Sequence, residues 1–202
     1  MDEAKIRLSD AERELLTKAG WILTKNGILE KVKRLLGELQ LNYRRHVQEH
    51  SLLSREVLVS SPKISRGENY QGLPWVVLDY PRCFGQQDVF AIRTMFWWGH
   101  FFSITLHVAG CYKSQYENKV ILSFPQFAAG GYFICVNNTP WQHHFESNNY
   151  VPVAEMRAEQ FAGRIKEHPF IKLAAKMPVE QWDEVSGLMP DYFKKMTAIL
   201  AD

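Results

Sequence analysis

The first 50 residues carry apolar side chains at helical spacing, with polar residues between them. Ser9 and Glu12 have the spacing of a capping box, which predicts that a helix begins at Ser9. Asn26 and Gly27 tolerate a positive φ, so we expect this helix to end there and a second helix to follow. The second helix has a stripe with a 3.6-residue period, formed by Leu29, Val32, Leu36, Leu39 and Tyr43. Residues 1–50 are therefore predicted to form a helical hairpin.

The middle of the chain changes to short apolar runs that end at Gly, Pro, Asn or charged residues, as β-strands do. These runs are residues 56–59, 75–80, 90–98, 100–108, 120–124 and 132–136. No segment between them is predicted to be a helix, so we expect a mostly antiparallel sheet of five or six strands over residues 55–137. Residues 63–74 are predicted to be a long polar loop, either a plain surface connection or, with Arg82, the rim of a pocket.

The last quarter, residues 152–202, returns to helical spacing. One stripe consists of Ala154, Ala158, Phe161 and Ile165, and Pro152 suits the first turn of a helix. Proline removes a helical hydrogen bond, so short helices are expected between Pro169, Pro178 and Pro190. The sequence thus predicts a single α+β domain over residues 1–202, with a helical hairpin, a central antiparallel sheet and C-terminal helices.

The two central runs, residues 90–98 and 100–108, are expected to form a β-hairpin around Gly99. With Gly99 as the left-handed third residue of a three-residue loop, Phe96 pairs with His100. This register gives a core face made of Phe90, Ile92, Thr94, Phe96, His100, Phe102, Ile104 and Leu106. A two-residue loop would pair Phe96 with Phe101 and mix the two faces, and the hydrophobic pattern argues against it.

The opposite face of this hairpin is amphipathic, and it is the candidate binding face. Its ligand-binding residues are predicted to be Arg93, Phe101, Ser103, Thr105 and His107. A cation beside aromatic rings, hydroxyls and an imidazole suits an anionic or planar ligand. The alternative is that helices cover this face and that Arg93 pairs with Asp79 or Asp88.

Two histidine clusters raise the question of a metal site. His46, Glu49 and His50 match the H-x-x-E-H pattern of inverted zinc metallopeptidases, so a metal-dependent hydrolase with Glu49 as base is the alternative function. A catalytic zinc site normally has three protein ligands, and the sequence offers no third one. His143 and His144 lie in a segment typical of a polar turn. No metal, no other cofactor and no catalytic residue is therefore predicted.

Composition and charge narrow the function classes further. The chain has 24 Lys and Arg against 22 Asp and Glu, which is unlike a nucleic-acid-binding domain, so weak nucleic-acid binding is only a third alternative. The charged N-terminus is unlike a secretory signal, no apolar stretch reaches membrane-spanning length, and the three cysteines form no CxxC pair. We therefore predict a soluble, cytoplasmic, non-catalytic protein that binds a small molecule or a protein partner, a homo-oligomer included, and no membrane.

Overall fold

A computed structural model of the chain describes residues 6–50 and 53–201. Its helices are α1 (Asp10–Thr17), α2 (Ala19–His50), α3 (Arg55–Leu58), α4 (Cys111–Leu122), α5 (Phe124–Ala129), α6 (Ala158–Glu167) and α7 (Val185–Leu200). Its strands are β1 (Lys63–Tyr70), β2 (Leu73–Phe84), β3 (Val89–Trp97), β4 (Phe101–Ala109), β5 (Phe133–Cys135), β6 (Tyr150–Pro152) and β7 (Phe170–Pro178). None of these helices is both long enough and apolar enough to cross a membrane.

The strands form one antiparallel sheet in the order β1-β2-β3-β4-β7-β5-β6. The predicted α+β class, with N-terminal and C-terminal helices around a central antiparallel sheet, is confirmed. The sheet has seven strands, rather than five or six, and it extends beyond the predicted limit of residue 137.

The first N-terminal helix begins where the sequence predicts, but the break between it and the second helix lies elsewhere. Ser9 caps α1 in the expected capping box with Glu12. The break lies at Lys18, and α2 runs through Asn26 and Gly27, so the predicted hairpin turn at these two residues is wrong. A glycine inside a helix costs only about 1 kcal/mol. The stripe that offsets this cost is buried as predicted, at Leu29, Val32, Leu36, Leu39 and Tyr43.

Two of the predicted strands are helical. Residues 56–59 overlap α3, and residues 120–124 lie at the end of α4 and the start of α5. Val120 belongs to a buried stripe with Tyr112 and Tyr116, spaced by four residues, so this apolar run is part of a helical pattern. A run of four or five apolar residues does not by itself distinguish a strand from a buried helical segment.

The predicted polar loop of residues 63–74 is instead the β1–β2 hairpin. Gln71 and Gly72 join the two strands with φ values of 50° and 82°, as a type I′ turn requires. β2 then continues past residue 80, through Pro81 with its cis peptide bond. Arg82 donates from Nε to the backbone oxygen of Ser61 at 2.9 Å.

The last quarter contains a strand where helices are predicted. β7 lies between β4 and β5 in the interior of the sheet, and strands covered on both faces have nearly continuous apolar sequences. Pro169 precedes this strand and Pro178 is its last residue. Pro190 lies inside α7 instead of dividing two helices. Its helical neighbours Met189 and Phe193 are fully buried, so packing offsets the hydrogen bond that proline removes.

The β3–β4 hairpin has the predicted faces but a different register. Phe96 pairs with Phe102, and residues 98–100 form the loop. The predicted pairing of Phe96 with His100 is therefore wrong by two residues. Because a shift of two preserves the alternation of side chains, every strand residue stays on its predicted face. His100 lies outside the core, exposed in the loop, and its ring stacks on Trp97 with ring centres 3.6 Å apart.

The helices cover one face of the sheet. Strand residues on that face, such as Leu78, Ile92 and Ile104, are fully buried in the main core with side chains of α2, α4, α6 and α7. The opposite face is covered by residues 137–149, which form most of the link between β5 and β6 and are called the covering segment below. This opposite face is the predicted binding face, and its cover is an irregular segment rather than the helices of the alternative interpretation.

Candidate functional site

The candidate site is built from two rows of residues on neighbouring strands. The first row consists of Asp79 on β2, Arg93 on β3 and Thr105 on β4. The second row consists of Ala91 on β3, His107 on β4 and Lys172 on β7. Because side chains alternate along a strand, both rows face the same side of the sheet, beneath the covering segment.

Arg93 forms a two-pronged ion pair with Asp79, one of the two carboxylates expected for it. Its Nε donates to Oδ1 at 2.7 Å and its Nη2 donates to Oδ2 at 2.9 Å. Nη1 lies 3.3 Å from Nε2 of His143 in the covering segment. Arginine can only donate, so Nε2 of His143 accepts and its ring proton is assigned to Nδ1. Burial and the charges of Lys172 and Arg93 hold the pKa of His143 well below its usual value, which agrees with a neutral ring.

Lys172 is the second cation of the site and is only 2% exposed. Its Nζ donates to the backbone oxygens of Pro140 at 2.7 Å and Gln142 at 2.5 Å, which ties the covering segment to β7. Within residues 6–50 and 53–201, no carboxylate forms an ion pair with it. Burial lowers the pKa of Lys172 to about 8, with a further contribution from Arg93. The ammonium form therefore still predominates at neutral pH.

His107 lies beside Lys172 and is 8% exposed. Its Nε2 is buried and has no hydrogen-bond partner in the part of the chain that the structure describes. Burial, followed by the charges of Lys172 and Arg93, lowers the pKa of His107 to about 4. The ring is thus neutral at pH 7. Buried polar atoms in proteins normally have a partner, so this nitrogen is available to a water molecule or a ligand.

Two adjoining cavities lie against these residues. The inner cavity has a volume of about 20 Å³, and its polar lining consists of Arg93, Thr105, His107, His143 and Lys172. The outer cavity has a volume of about 260 Å³ and is lined by Asn69, Tyr70, Trp75, Val77, Arg93, Met95, Trp141 and His143. Arg93, Trp141 and His143 line both, and the two cavities together are called the cleft. The inner cavity has room because Ala91 places only a methyl group beside His107.

The covering segment is held over the cleft by hydrogen bonds as well as by ring contacts. The hydroxyl of Tyr70 accepts from the backbone N–H groups of His143 at 2.7 Å and His144 at 3.2 Å. The ring of Phe145 stacks on Tyr150 and packs edge-on against Phe101, with centroid distances of 4.6 and 5.0 Å. These contacts fix the segment on both sides of the cleft.

Three of the five predicted ligand-binding residues, Arg93, Thr105 and His107, line the inner cavity. Phe101 and Ser103 lie on the same face but away from both cavities. Phe101 packs under Phe145, and Ser103 is buried on β4. The sequence therefore predicts which of these strand residues share a face, and that they bind a ligand stays a prediction.

Sequence reasoning missed Lys172, Trp141 and His143 as site residues. Lys172 is on β7, a segment predicted to be helical. The histidines after Pro140 are interpreted from sequence as a polar turn, although two adjacent imidazoles between Trp141 and Phe145 are a signal that could have drawn attention to the covering segment.

The other predicted histidine cluster, at the end of α2, is on the helical side of the sheet. Nε2 of His46 lies 3.3 Å from Oγ1 of Thr197, and its ring contacts Phe193 on the helical side, so His46 does not meet His143. Glu49 is exposed, and the side chain of His50 lies outside the described part of the structure. Of the described residues, no three His, Cys, Asp or Glu side chains are grouped to hold a metal. The metal-dependent hydrolase remains an untested alternative without support from this geometry.

Comparison with protein-family models finds no match for this chain, and neither do searches of curated proteins and of solved structures.

Proposed function

We propose that this chain binds a small organic anion in the cleft and that it is a binding protein rather than an enzyme. The observation that carries the proposal is Lys172, a buried ammonium for which the described residues provide no carboxylate. Removing an ion from water costs several kcal/mol, so buried charges are normally paired. A negatively charged ligand beside Lys172 would supply the missing partner.

The charge balance around the cleft supports an anion rather than a cation. Arg93 and Asp79 neutralise each other, whereas Lys172 contributes one further positive charge that the carbonyl oxygens solvate but do not neutralise. After burial, the main cause of the lowered pKa values of His107 and His143 is the proximity of Lys172 and Arg93. A bound anion would relieve this repulsion and raise both pKa values.

Binding rather than catalysis is supported by how the polar groups are held. Arg93 is fixed by Asp79, and Lys172 is fixed by two backbone carbonyls, an arrangement suited to orienting a ligand.

The proposal includes a cytoplasmic location, since Cys83, Cys111 and Cys135 are all free, as is usual in a reducing compartment.

Thermal unfolding of the full chain with a panel of anions tests this proposal. The panel contains acetate, benzoate, 2-naphthoate, inorganic phosphate and 2-naphthyl phosphate. At about one hundred times its Kd, a ligand adds roughly 2.7 kcal/mol of stability, so we expect Tm to rise by about 5–10 °C for at least one anion. His107→Leu should abolish the rise, because it removes Nε2 from the inner cavity.

His100→Leu is the matched control, since His100 is exposed at the end of the same hairpin and outside both cavities. This variant should keep the rise in Tm. The proposal is wrong if no anion in the panel raises the Tm of the unmodified chain, or if His107→Leu responds as strongly as His100→Leu.

A further inference from the structure

The size of the inner cavity restricts the charged group of the ligand. This inference rests on the proposed function and names the class of anion. A cavity must offer about 10–15 Å³ to hold one water-sized atom. The inner cavity, at about 20 Å³, therefore has room for one oxygen atom, so a phosphate group would leave three oxygens outside it and a carboxylate only one. A carboxylate can place one oxygen there and leave the rest of the molecule outside.

The net charge of the site also favours a carboxylate over a phosphate. Asp79 balances Arg93, so Lys172 is the one positive charge left unbalanced among the described residues that line the inner cavity. A monoanion neutralises this charge, whereas a phosphate dianion would leave one excess negative charge in a buried site. Leaving a buried charge without a partner is strongly unfavourable.

Hydrogen-bond donors are also available for a carboxylate. Lys172 has three N–H donors, and two of them are used by backbone carbonyls of the described residues, which leaves one there. The five N–H donors of Arg93 serve Asp79 twice and His143 once, so two remain in this part of the structure. Nε2 of His107 has no partner among the described residues and becomes a further donor in the tautomer that carries its proton there.

The outer cavity restricts the body of the ligand. Three aromatic side chains line it, those of Tyr70, Trp75 and Trp141, and Val77 and Met95 complete the apolar wall. Aromatic rings stack favourably on such walls. A cavity of about 150 Å³ takes one benzene molecule, so a volume of about 260 Å³ accommodates one or two fused rings.

We propose that the cleft binds a planar aromatic monocarboxylate, with one carboxylate oxygen in the inner cavity and the ring system in the outer cavity. Lys172 and His107 are the donors to the carboxylate, and Trp141 is the exposed wall against which the rings stack.

Isothermal titration calorimetry on the full chain tests both halves of the ligand. The probes are 2-naphthoate, the neutral 2-naphthamide, the dianionic 2-naphthyl phosphate, and octanoate, which has the carboxylate without the rings. We expect 2-naphthoate to bind at least about tenfold more tightly than each of the other three, a difference of about 1.4 kcal/mol. If 2-naphthyl phosphate binds as tightly, the carboxylate assignment is wrong, and if octanoate does, the aromatic assignment is wrong.

Two substitutions with matched controls assign the contacts. Lys172→Met should weaken 2-naphthoate at least about tenfold and leave 2-naphthamide within about twofold. Lys176→Met, on the same strand and face but exposed and outside both cavities, should change neither. Equal loss of 2-naphthoate affinity in the two variants would contradict the role of Lys172.

Trp141→Ala serves if Lys172→Met does not fold, because Trp141 is 55% exposed. It should weaken 2-naphthoate and leave octanoate unchanged, whereas Trp21→Ala, equally exposed at 55% on α2, should affect neither. Unchanged 2-naphthoate binding in Trp141→Ala would contradict the proposal that the rings stack on Trp141.

If 2-naphthoate does not bind while another anion of the panel still raises Tm, this inference fails and the proposed function stands. If no anion raises Tm, both fail.

Discussion

The two faces of the sheet are made by alternate residues of the same strands, yet they are covered in different ways. On the helical face, the described buried polar side chains are uncharged: the Thr94 hydroxyl lies 3.1 Å from the Tyr43 hydroxyl, Thr197 donates to the backbone oxygen of Phe193 at 3.0 Å, and the Tyr132 hydroxyl has no partner among the described residues. The face beneath the covering segment buries Asp79 and Lys172, together with hydroxyls and an imidazole. It also holds the cleft.

The difference follows from what each cover brings to the sheet. A helix satisfies its own backbone groups, so it offers a neighbouring strand mainly side chains. An irregular segment has carbonyl and N–H groups that need partners. The carbonyls of Pro140 and Gln142 accept from Lys172, and the amides of His143 and His144 donate to Tyr70. The covering segment and the polar site thus stabilise each other, and the buried cation Lys172 lies on the face whose cover provides carbonyl oxygens for it.

We expect the largest difference in the free energy of unfolding between substitutions at two adjacent residues of β4. Ile104 is fully buried on the helical face, and Thr105 faces the cleft. Ile104→Ala should lower the free energy of unfolding by about 2–5 kcal/mol, since it leaves a cavity in a close-packed core. Thr105→Ala should cost roughly 1 kcal/mol, the value of a single polar group, since it removes only a hydroxyl and a methyl group from the wall of the inner cavity. Urea unfolding of both variants measures this, and equal losses would contradict the distinction between the faces.

Acid should destabilise the protein through the cleft face. Burial lowers the pKa of His107 to about 4, whereas in the unfolded chain the pKa of this side chain is near the ordinary histidine value of 6.5. Between these values the unfolded state binds more protons, so stability is present above pH 6.5 and is lost as pH falls towards 4. The loss assigned to His107 is roughly 3 kcal/mol.

Urea unfolding at pH 7 and pH 4 checks this, with His107→Leu compared to the unmodified chain. The pH dependence of His107→Leu should be shallower by that amount, since leucine does not titrate. His100→Leu should keep the original pH dependence, because His100 is exposed. A His107→Leu profile parallel to that of the unmodified chain would mean that His107 is not responsible.

Alternation of side chains made the faces predictable from sequence. The period of two assigns Arg93, Thr105 and His107 to one face, and this assignment survives a register error of two residues. Short apolar runs without such alternation do not distinguish a strand from a helix, because a strand buried on both sides has no polar face. For this reason the sequence does not predict β7, and Lys172, which lies on β7, is not predicted as a site residue.

The cleft itself depends on contacts that leave no local signature. Lys172 donates to backbone carbonyl oxygens of residues that are 30 and 32 positions away. Every residue has such an oxygen, whatever its side chain, so the sequence does not mark the partners. The unpartnered Nε2 of His107 likewise depends on the small neighbour Ala91 and on where the covering segment lies. Sequence patterns report which face a residue occupies, whereas its partners are set by the tertiary fold.

We expect the smallest loss of stability from two substitutions that each remove one hydroxyl, one on each side of the sheet. Tyr70→Phe deprives the amides of His143 and His144 of their acceptor, and Tyr43→Phe removes the contact to Thr94 in the core. Each should cost about 1 kcal/mol. The loss in Tyr70→Phe should be confined to the covering segment, because that segment can open without exposing the core.

Hydrogen exchange followed by NMR separates the two cases. In Tyr70→Phe the amides of His143 and His144 should exchange about fivefold faster, while core amides of β3 and β4 keep their rates. In Tyr43→Phe the most protected core amides should exchange faster, since they open only with the whole fold. If Tyr70→Phe accelerated the core amides equally, the covering segment would be part of the cooperative core, and the cleft beneath it would open only by unfolding.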